Sequence, residues 1–290
     1  MRINRIAIDS VDDRRVGDFR VISDPVLMRE RGLFVAEGRL AVERLLASRF
    51  RAQALLLTAS VLAGLEPALA ACRPGAGGLD VYLTDSARLR QITGFRFHRG
   101  CLALGVRPAG AGDGDDDWPA AEPSRPLVAL EGVSNPDNVG SIFRNAAAFG
   151  ASGIVLSPTC ADPLYRKAIR TSMGTTLTLP FRVAGEWQGA LRRIADSGAR
   201  LVALTPDGRA TDLETFVARG PGDPLALLLG NEGDGVSAAA LDLCDERVRV
   251  DIERAVDSLN VATAAAIVLQ RLRAARAGGV TTGPPTAPPG

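Results

Sequence analysis

The stretch NPDNVGSIFRNAAAFG, residues 135–150, lies between two short apolar runs, residues 127–130 and 153–156. Ile142, Ala146 and Phe149 recur at helical spacing and form an apolar stripe. Ser141, Arg144, Asn145 and Ala148 form a polar or small one. Asn135, Pro136 and Asp137 favour a turn, and Asn138 is suited to cap the helix that follows. Gly150 stands where a glycine would end it. Strand, helix, strand is the unit of an α/β fold. The same rhythm continues downstream. Further strands are expected at residues 201–204, 225–229 and 248–252, and helices at 164–172, 186–197 and about 259–277, with Gly198 closing the second of these. Nearly continuous apolar runs suit parallel strands covered on both faces. Their alternation with helices implies a doubly wound parallel sheet. Ligands of such sheets sit beyond the carboxyl ends of the strands, so the loops after the strands should carry the site.

Two further post-strand loops are unusual. LLLGNEGDGVS, residues 227–237, places Gly230, Gly233 and Gly235 around Glu232. Glycine lets backbone amides approach a ligand closely. The spacing is neither the dinucleotide fingerprint nor the P-loop, which excludes a nicotinamide oxidoreductase and a nucleoside triphosphatase as first readings. VRVDIERAVDSLNVATAAAIVLQRL, residues 248–272, leads from a strand through a turn into a long alanine-rich helix, with Ser258 as a candidate cap. Ala262, Ala264, Ala265 and Ala266 permit close packing against a neighbouring helix or a second subunit.

Upstream, the chain also alternates. Strands are expected at residues 33–37, 53–58, 79–84 and 101–106, with helices at 39–48 and 85–92. This is a small α/β unit. It is separated from the larger one by AGAGDGDDDWPAAEPSRP, residues 109–126, whose composition buries too little apolar surface to fold alone and reads as a flexible linker. The end, residues 278–290, has the same character and reads as a disordered tail. Residues 1–108 carry a net charge of +6 within a chain of net charge +1. A basic first third suggests a polyanionic partner. Phe95 and Phe97, interleaved with Arg96, His98 and Arg99, are either core residues or a cluster suited to stack on the bases of such a polyanion.

The chain has 290 residues, four scattered cysteines and a single histidine, His98. That argues for a reducing cytoplasm and against a disulfide framework or a histidine-rich metal centre. No metal is expected. No apolar run reaches the roughly 18 residues of a membrane helix. The first fifteen residues lack an apolar core of the kind a secretory signal carries.

Taken together, NPDNVGSIFRNAAAFG, LLLGNEGDGVS and VDSLNVATAAAIVL resemble, in order, spacing and placement after strands, the three motifs of the SpoU/TrmH branch of the SPOUT methyltransferases. RKAIRTSMG, residues 166–174, is similar to that family's intermediate segment. FVAEGRLAVERLL and ITGFRFHRGCLALG are similar to its small substrate-binding domain. The resemblance implies a C-terminal parallel-sheet SPOUT fold with a trefoil knot over residues 127–277, behind an RNA-binding domain over 1–108. It also implies a cytoplasmic homodimer that transfers the methyl group of S-adenosyl-L-methionine to a ribose 2′-hydroxyl of rRNA or tRNA. The two-domain plan favours rRNA. Carried over residue by residue, the catalytic set is Asn138, Arg144, Glu232, Ser258 and Asn260, with Arg144 as the base or activator. Gly230, Val250 and Leu259 would hold the cofactor through their backbone, joined by Thr205 and Ile252. The sequence departs from the family where Asp251 and Arg254 replace a proline and a glycine after the last strand. That departure is the one feature favouring a non-catalytic RNA-binding assembly factor with a decayed site.

Overall fold

The computed structural model describes residues 3–20, 23–72, 78–94, 100–108, 118–220, 222, 224–253 and 255–278. In chain order the first half holds β1 (Ile3–Ala7), α1 (Asp24–Arg31), β2 (Leu33–Glu37), α2 (Arg39–Ala47), β3 (Ala52–Thr58), α3 (Ala59–Ala71), β4 (Leu79–Thr84), α4 (Ser86–Thr93) and β5 (Cys101–Val106). The second half holds β6 (Leu127–Leu130), α5 (Pro136–Phe149), β7 (Gly153–Leu156), α6 (Arg166–Thr171), β8 (Phe181–Val183) and α7 (Trp187–Asp196). It continues with β9 (Arg200–Leu204), β10 (Thr211–Asp212), α8 (Leu213–Ala218), β11 (Leu225–Leu229), α9 (Ala238–Leu241), β12 (Glu246–Arg249) and α10 (Val261–Gly278).

Two sheets result. The first is mixed, in the order β1-β4-β3-β5-β2, with β5 antiparallel to both β2 and β3. The second has the order β10-β12-β9-β11-β6-β7-β8, and every pairing in it is parallel. The apolar runs at β6, β7 and β11 are buried along their whole length, as parallel strands covered on both faces require.

The last strand is shorter and earlier than its apolar pattern predicts. β12 pairs with β9 through Val248 and with β10 through Arg249, then leaves the sheet. Val250 and Ile252 are therefore not strand residues. Val250 still packs against the core from beyond the strand's end.

Both expected helix caps are also displaced. Pro136 starts α5, and the side chain of Asn135, not Asn138, accepts from the Asp137 amide. Proline is pre-organised for the first helical turn, which moves the start forward. At α10 the cap is Asn260, not Ser258. Its Oδ1 accepts from the Ala262 and Thr263 amides at 3.0 and 3.3 Å. Each shift frees a side chain, Asn138 and Ser258 respectively, from structural duty.

The sheets share a core. Phe34 of β2 meets Phe50 edge-on at 5.5 Å between ring centroids, Phe50 lies 6.3 Å from Phe181 of β8, and Phe181 meets Phe143 of α5 at 5.5 Å. The Arg49 guanidinium lies 5.2 Å from the Phe50 ring centroid and 5.4 Å from that of Phe181. Arg107 pairs with Asp162 at 2.5 Å, and the Asp24 carboxylate accepts from the Arg166 amide at 2.8 Å. Aromatic pairs of this kind add to the apolar burial itself. The expected linker is described from Trp118 onward. That part lies on the second sheet, with the Arg193 guanidinium 4.8 Å from the Trp118 ring centroid. The cluster of residues 95–99 lies outside the described residues.

Candidate active site

Because the second sheet is parallel, the loops after β6, β9, β11 and β12 emerge on one edge. Residues from the stretches 204–208, 229–235, 249–253 and 256–259, with the first turn of α10, surround a cavity of about 670 Å³. Thr205, Gly230, Val250, Ile252 and Leu259 all line it. Glu232 and Ser258 line it too. A volume of this order falls in the roughly 300–1,000 Å³ range of small-molecule sites.

Three segments distant in sequence are tied together at its rim. Asn138 Nδ2 donates to Glu232 Oε1, and Asn260 Nδ2 donates to Asn138 Oδ1 at 3.0 Å. The chain Glu232–Asn138–Asn260 thus links one loop, the first turn of α5 and the cap of α10. Arg144 is not part of it. It lies exposed on α5, with no hydrogen bond or ion pair to any of the described residues and no place in the cavity wall. Ser258 faces the cavity with its hydroxyl unbonded among the described residues.

Asn260 therefore does two jobs, and substitutions separate them. Asn260→Asp keeps an oxygen to cap α10 but loses the amide donor to Asn138. It should melt within about a degree of wild type while Asn260→Ala loses about 1 kcal/mol of cap stability. Equal melting temperatures for the two variants, measured by calorimetry, would show that the cap is not there.

The glycine loop owes its shape to a residue the sequence did not single out. Asn231 Oδ1 accepts from the Gly233 and Asp234 amides at 2.7 and 3.2 Å, and its Nδ2 donates to the Gly132 carbonyl at 2.7 Å. This is an Asx turn, and an asparagine two residues before a glycine is its signal. Glu131 adds a second tie, accepting from the Ser237 amide and hydroxyl at 2.9 and 2.8 Å. Gly230 has its own reason to be glycine. A Cβ there would stand 2.2 Å from the carbonyl carbon of Gly235. The expectation that it admits a ligand is joined by a stronger demand from the loop itself.

Asp251 lies on the cavity wall, where Oδ1 pairs with Arg249 Nη1 at 2.5 Å. Arg254 lies outside the described residues. Among the described residues, Glu232, Asp251, Glu253 and Asp257 line the cavity against the one guanidinium of Arg249. The wall is therefore acidic. The cysteines stand apart from this chemistry. Burial pushes the Cys101 thiol up to about 12 and the Cys244 thiol to about 11, which holds both protonated near neutral pH.

Comparison with known proteins bears on this edge of the sheet. The SpoU rRNA Methylase family pattern matches residues 125–270, which carry all three motifs and the cavity. The chain belongs to the SpoU rRNA methylase family. A tRNA/rRNA methyltransferase of Mycobacterium tuberculosis strain H37Rv is 41% identical to this SpoU methylase over 268 residues, covering 88% of this chain and 87% of the relative. A Mycobacterium leprae tRNA/rRNA methyltransferase is 35% identical over 197 residues, covering 67% of this chain and 62% of the relative. The fold matches an AdoMet-bound rRNA methyltransferase from Sinorhizobium meliloti with a TM-score of 0.76 at 24% identity, covering 93% of this chain and 98% of that one. It matches the SpoU methyltransferase AviRb from Streptomyces viridochromogenes with a TM-score of 0.72 at 24% identity, covering 92% and 99%. The two-sheet SpoU architecture thus spans both halves of the chain.

Proposed function

We propose that this SpoU family member, an S-adenosylmethionine-dependent RNA methyltransferase, methylates a ribose 2′-hydroxyl, and that its substrate is rRNA rather than tRNA. The observation that carries the reading is the Glu232–Asn138–Asn260 chain at the rim of the cavity. It joins one polar residue from each of the three motifs beside a cavity lined by every residue expected to hold the cofactor. S-adenosylmethionine, when bound, supplies an electrophilic sulfonium methyl group. Gly230, Val250, Leu259, Thr205 and Ile252 would hold it, and the surplus of carboxylates on the wall suits a cationic occupant.

A ribose hydroxyl is a weak nucleophile, so its proton must be drawn away or its developing charge stabilised. Arginine stays charged under ordinary conditions. Arg144 therefore acts on the phosphate and on the oxygen that gains negative charge. Glu232 orients Asn138, and Asn138, Asn260 and Ser258 fix the line of approach, which supplies much of the acceleration. The preference for rRNA rests on likeness of domain plan. The resemblance further implies a cytoplasmic homodimer with the C-terminal segment threaded as a trefoil knot.

The test is chemical. The purified protein is incubated with tritiated S-adenosylmethionine and separate rRNA and tRNA pools, and the labelled RNA is digested to nucleosides. Label in 2′-O-methylnucleosides from rRNA is the expected result. Label confined to methylated bases would refute the acceptor assignment, and label in tRNA alone would refute the substrate preference.

A further inference from the structure

Only three large apolar side chains are exposed among the described residues: Leu40 at 38%, Met173 at 40% and Val256 at 52%. Val256 belongs to the cavity wall. The other two lie on either side of the junction of the two halves, Leu40 on α2 one turn before Arg44 and Met173 at the turn whose carbonyl Arg44 binds, and neither lines the cavity. Met173 follows α6 in a left-handed conformation, with φ at 56°. Such a φ is uncommon for a side chain larger than asparagine and persists only where its surroundings enforce it.

Here they do. Ser172 Oγ donates to the Ile169 carbonyl and accepts from the Gly174 and Thr176 amides, and the Gly174 amide closes on the Ile169 carbonyl at 2.7 Å. Arg44 of α2 donates to the Met173 carbonyl at 2.8 Å. The α2 helix also crowds the turn from the other half, since a Cβ on Gly174 would stand 3.2 Å from the Ala41 Cα. The neighbours of Met173 are buried while its own side chain is held out to solvent. A strained turn, fixed from both halves, thus presents a methionine beside α2, on which Leu40 is also exposed.

The charges around this step are positive on balance, the carboxylate of Glu43 on α2 being paired with Arg39 at 3.0 Å. Arg170 is exposed on α6, Arg44 lies on α2, and Lys167 of α6 holds Asp137 of α5 at 2.8 Å. That ion pair, with the hydrogen bond from Thr171 to Asp137, joins the step to the helix that bears Asn138 and Arg144. An apolar wedge among cations fits a polyanion that offers unstacked bases. Methionine and leucine insert against bases in this way, and single-stranded loops are the parts of RNA that splay bases out.

We propose that Met173 and Leu40 form a docking step for an unstacked nucleobase of the substrate RNA, with Arg44 and Arg170 beside its phosphates. The step rests on the RNA reading above. It places a second contact outside the cavity and lets both halves of the chain hold one substrate.

The test uses the full-length protein and 16S and 23S rRNA transcripts carrying 4-thiouridine. Photocrosslinks are mapped by mass spectrometry, and affinities are measured by filter binding for wild type, Met173→Gly and Leu40→Ala. Glycine tolerates the left-handed backbone, and Arg44 binds a main-chain carbonyl, so Met173→Gly keeps the turn. Crosslinks within residues 39–44 and 170–174 are expected, with each variant losing about tenfold in affinity, the order expected when an apolar side chain buried against a base is removed. Its sedimentation coefficient and S-adenosylmethionine affinity should not change. Wild-type binding matched by both variants would overturn the step alone. A changed sedimentation coefficient for Met173→Gly would also overturn it, by showing that a second copy of the chain covers the surface. A wild-type protein that binds neither transcript would overturn the rRNA reading together with the step.

Discussion

Arg144→Ala should lower methyl transfer roughly 100–1,000-fold, the usual loss when a donor aimed at developing negative charge is removed. Its melting temperature should stay within a degree or two of wild type. The expectation follows from where the residue stands. Arg144 is exposed on α5 and bonds to none of the described residues, so its removal strips no contact from the fold. Surface changes of that kind seldom shift stability by more than about 0.5 kcal/mol. S-adenosylmethionine affinity, read by calorimetry, should also persist, because Arg144 does not line the cavity. Arg144→Lys sharpens the test. Lysine keeps the charge but loses the planar fork that grips a phosphate and a sugar oxygen together, so it should recover only part of the rate. Near-normal turnover in Arg144→Ala would end the assignment, and a large fall in melting temperature would make the residue structural.

Gly230→Ala should destabilise the protein by about 1–3 kcal/mol, the range for forcing extra atoms into a packed site. A new Cβ would stand 2.3 Å from the Gly235 carbonyl oxygen and from the Val236 amide nitrogen. Those atoms are main chain, and they cannot rotate away as a side-chain tip would. They are held by the reciprocal hydrogen bonds between Asn231 and Gly235, both 3.0 Å. Relief requires breaking that pair and opening the loop that carries Glu232. The variant should therefore lose affinity for S-adenosylmethionine along with stability. Scanning calorimetry and titration calorimetry on one preparation would check both. An unchanged melting temperature with unchanged affinity would mean that the loop opens freely.

How far the sequence carried the reading depends on the residue. The apolar runs of β2, β3, β4 and β5 and the stripe of α5 were legible because period and burial agree there. Ile3–Ala7 escaped notice because charged Arg5 interrupts it; only its pairing with β4 makes it a strand. Val248–Ile252 misled because Val250 and Ile252 line the cavity after the strand has ended, Val250 also packing against the core from outside the sheet. Asn138 and Ser258 were read as caps because each precedes a helical pattern, but Asn135 and Asn260 reach the open amides first. The three motifs named the residues proposed for the site. That Glu232 reaches Asn138 across 94 residues of chain was invisible, since no local pattern encodes a side-chain bond between loops. The same holds for Arg144, whose exposure depends on which face of α5 the rest of the molecule covers.

The row of rings from Phe34 through Phe50 and Phe181 to Phe143 has a practical corollary. An engineer who replaces the first half of the chain must supply a substitute for Phe50, or Phe181 loses a ring it packs against. The two halves are thus inherited together along a hydrophobic seam and not swapped as free cassettes.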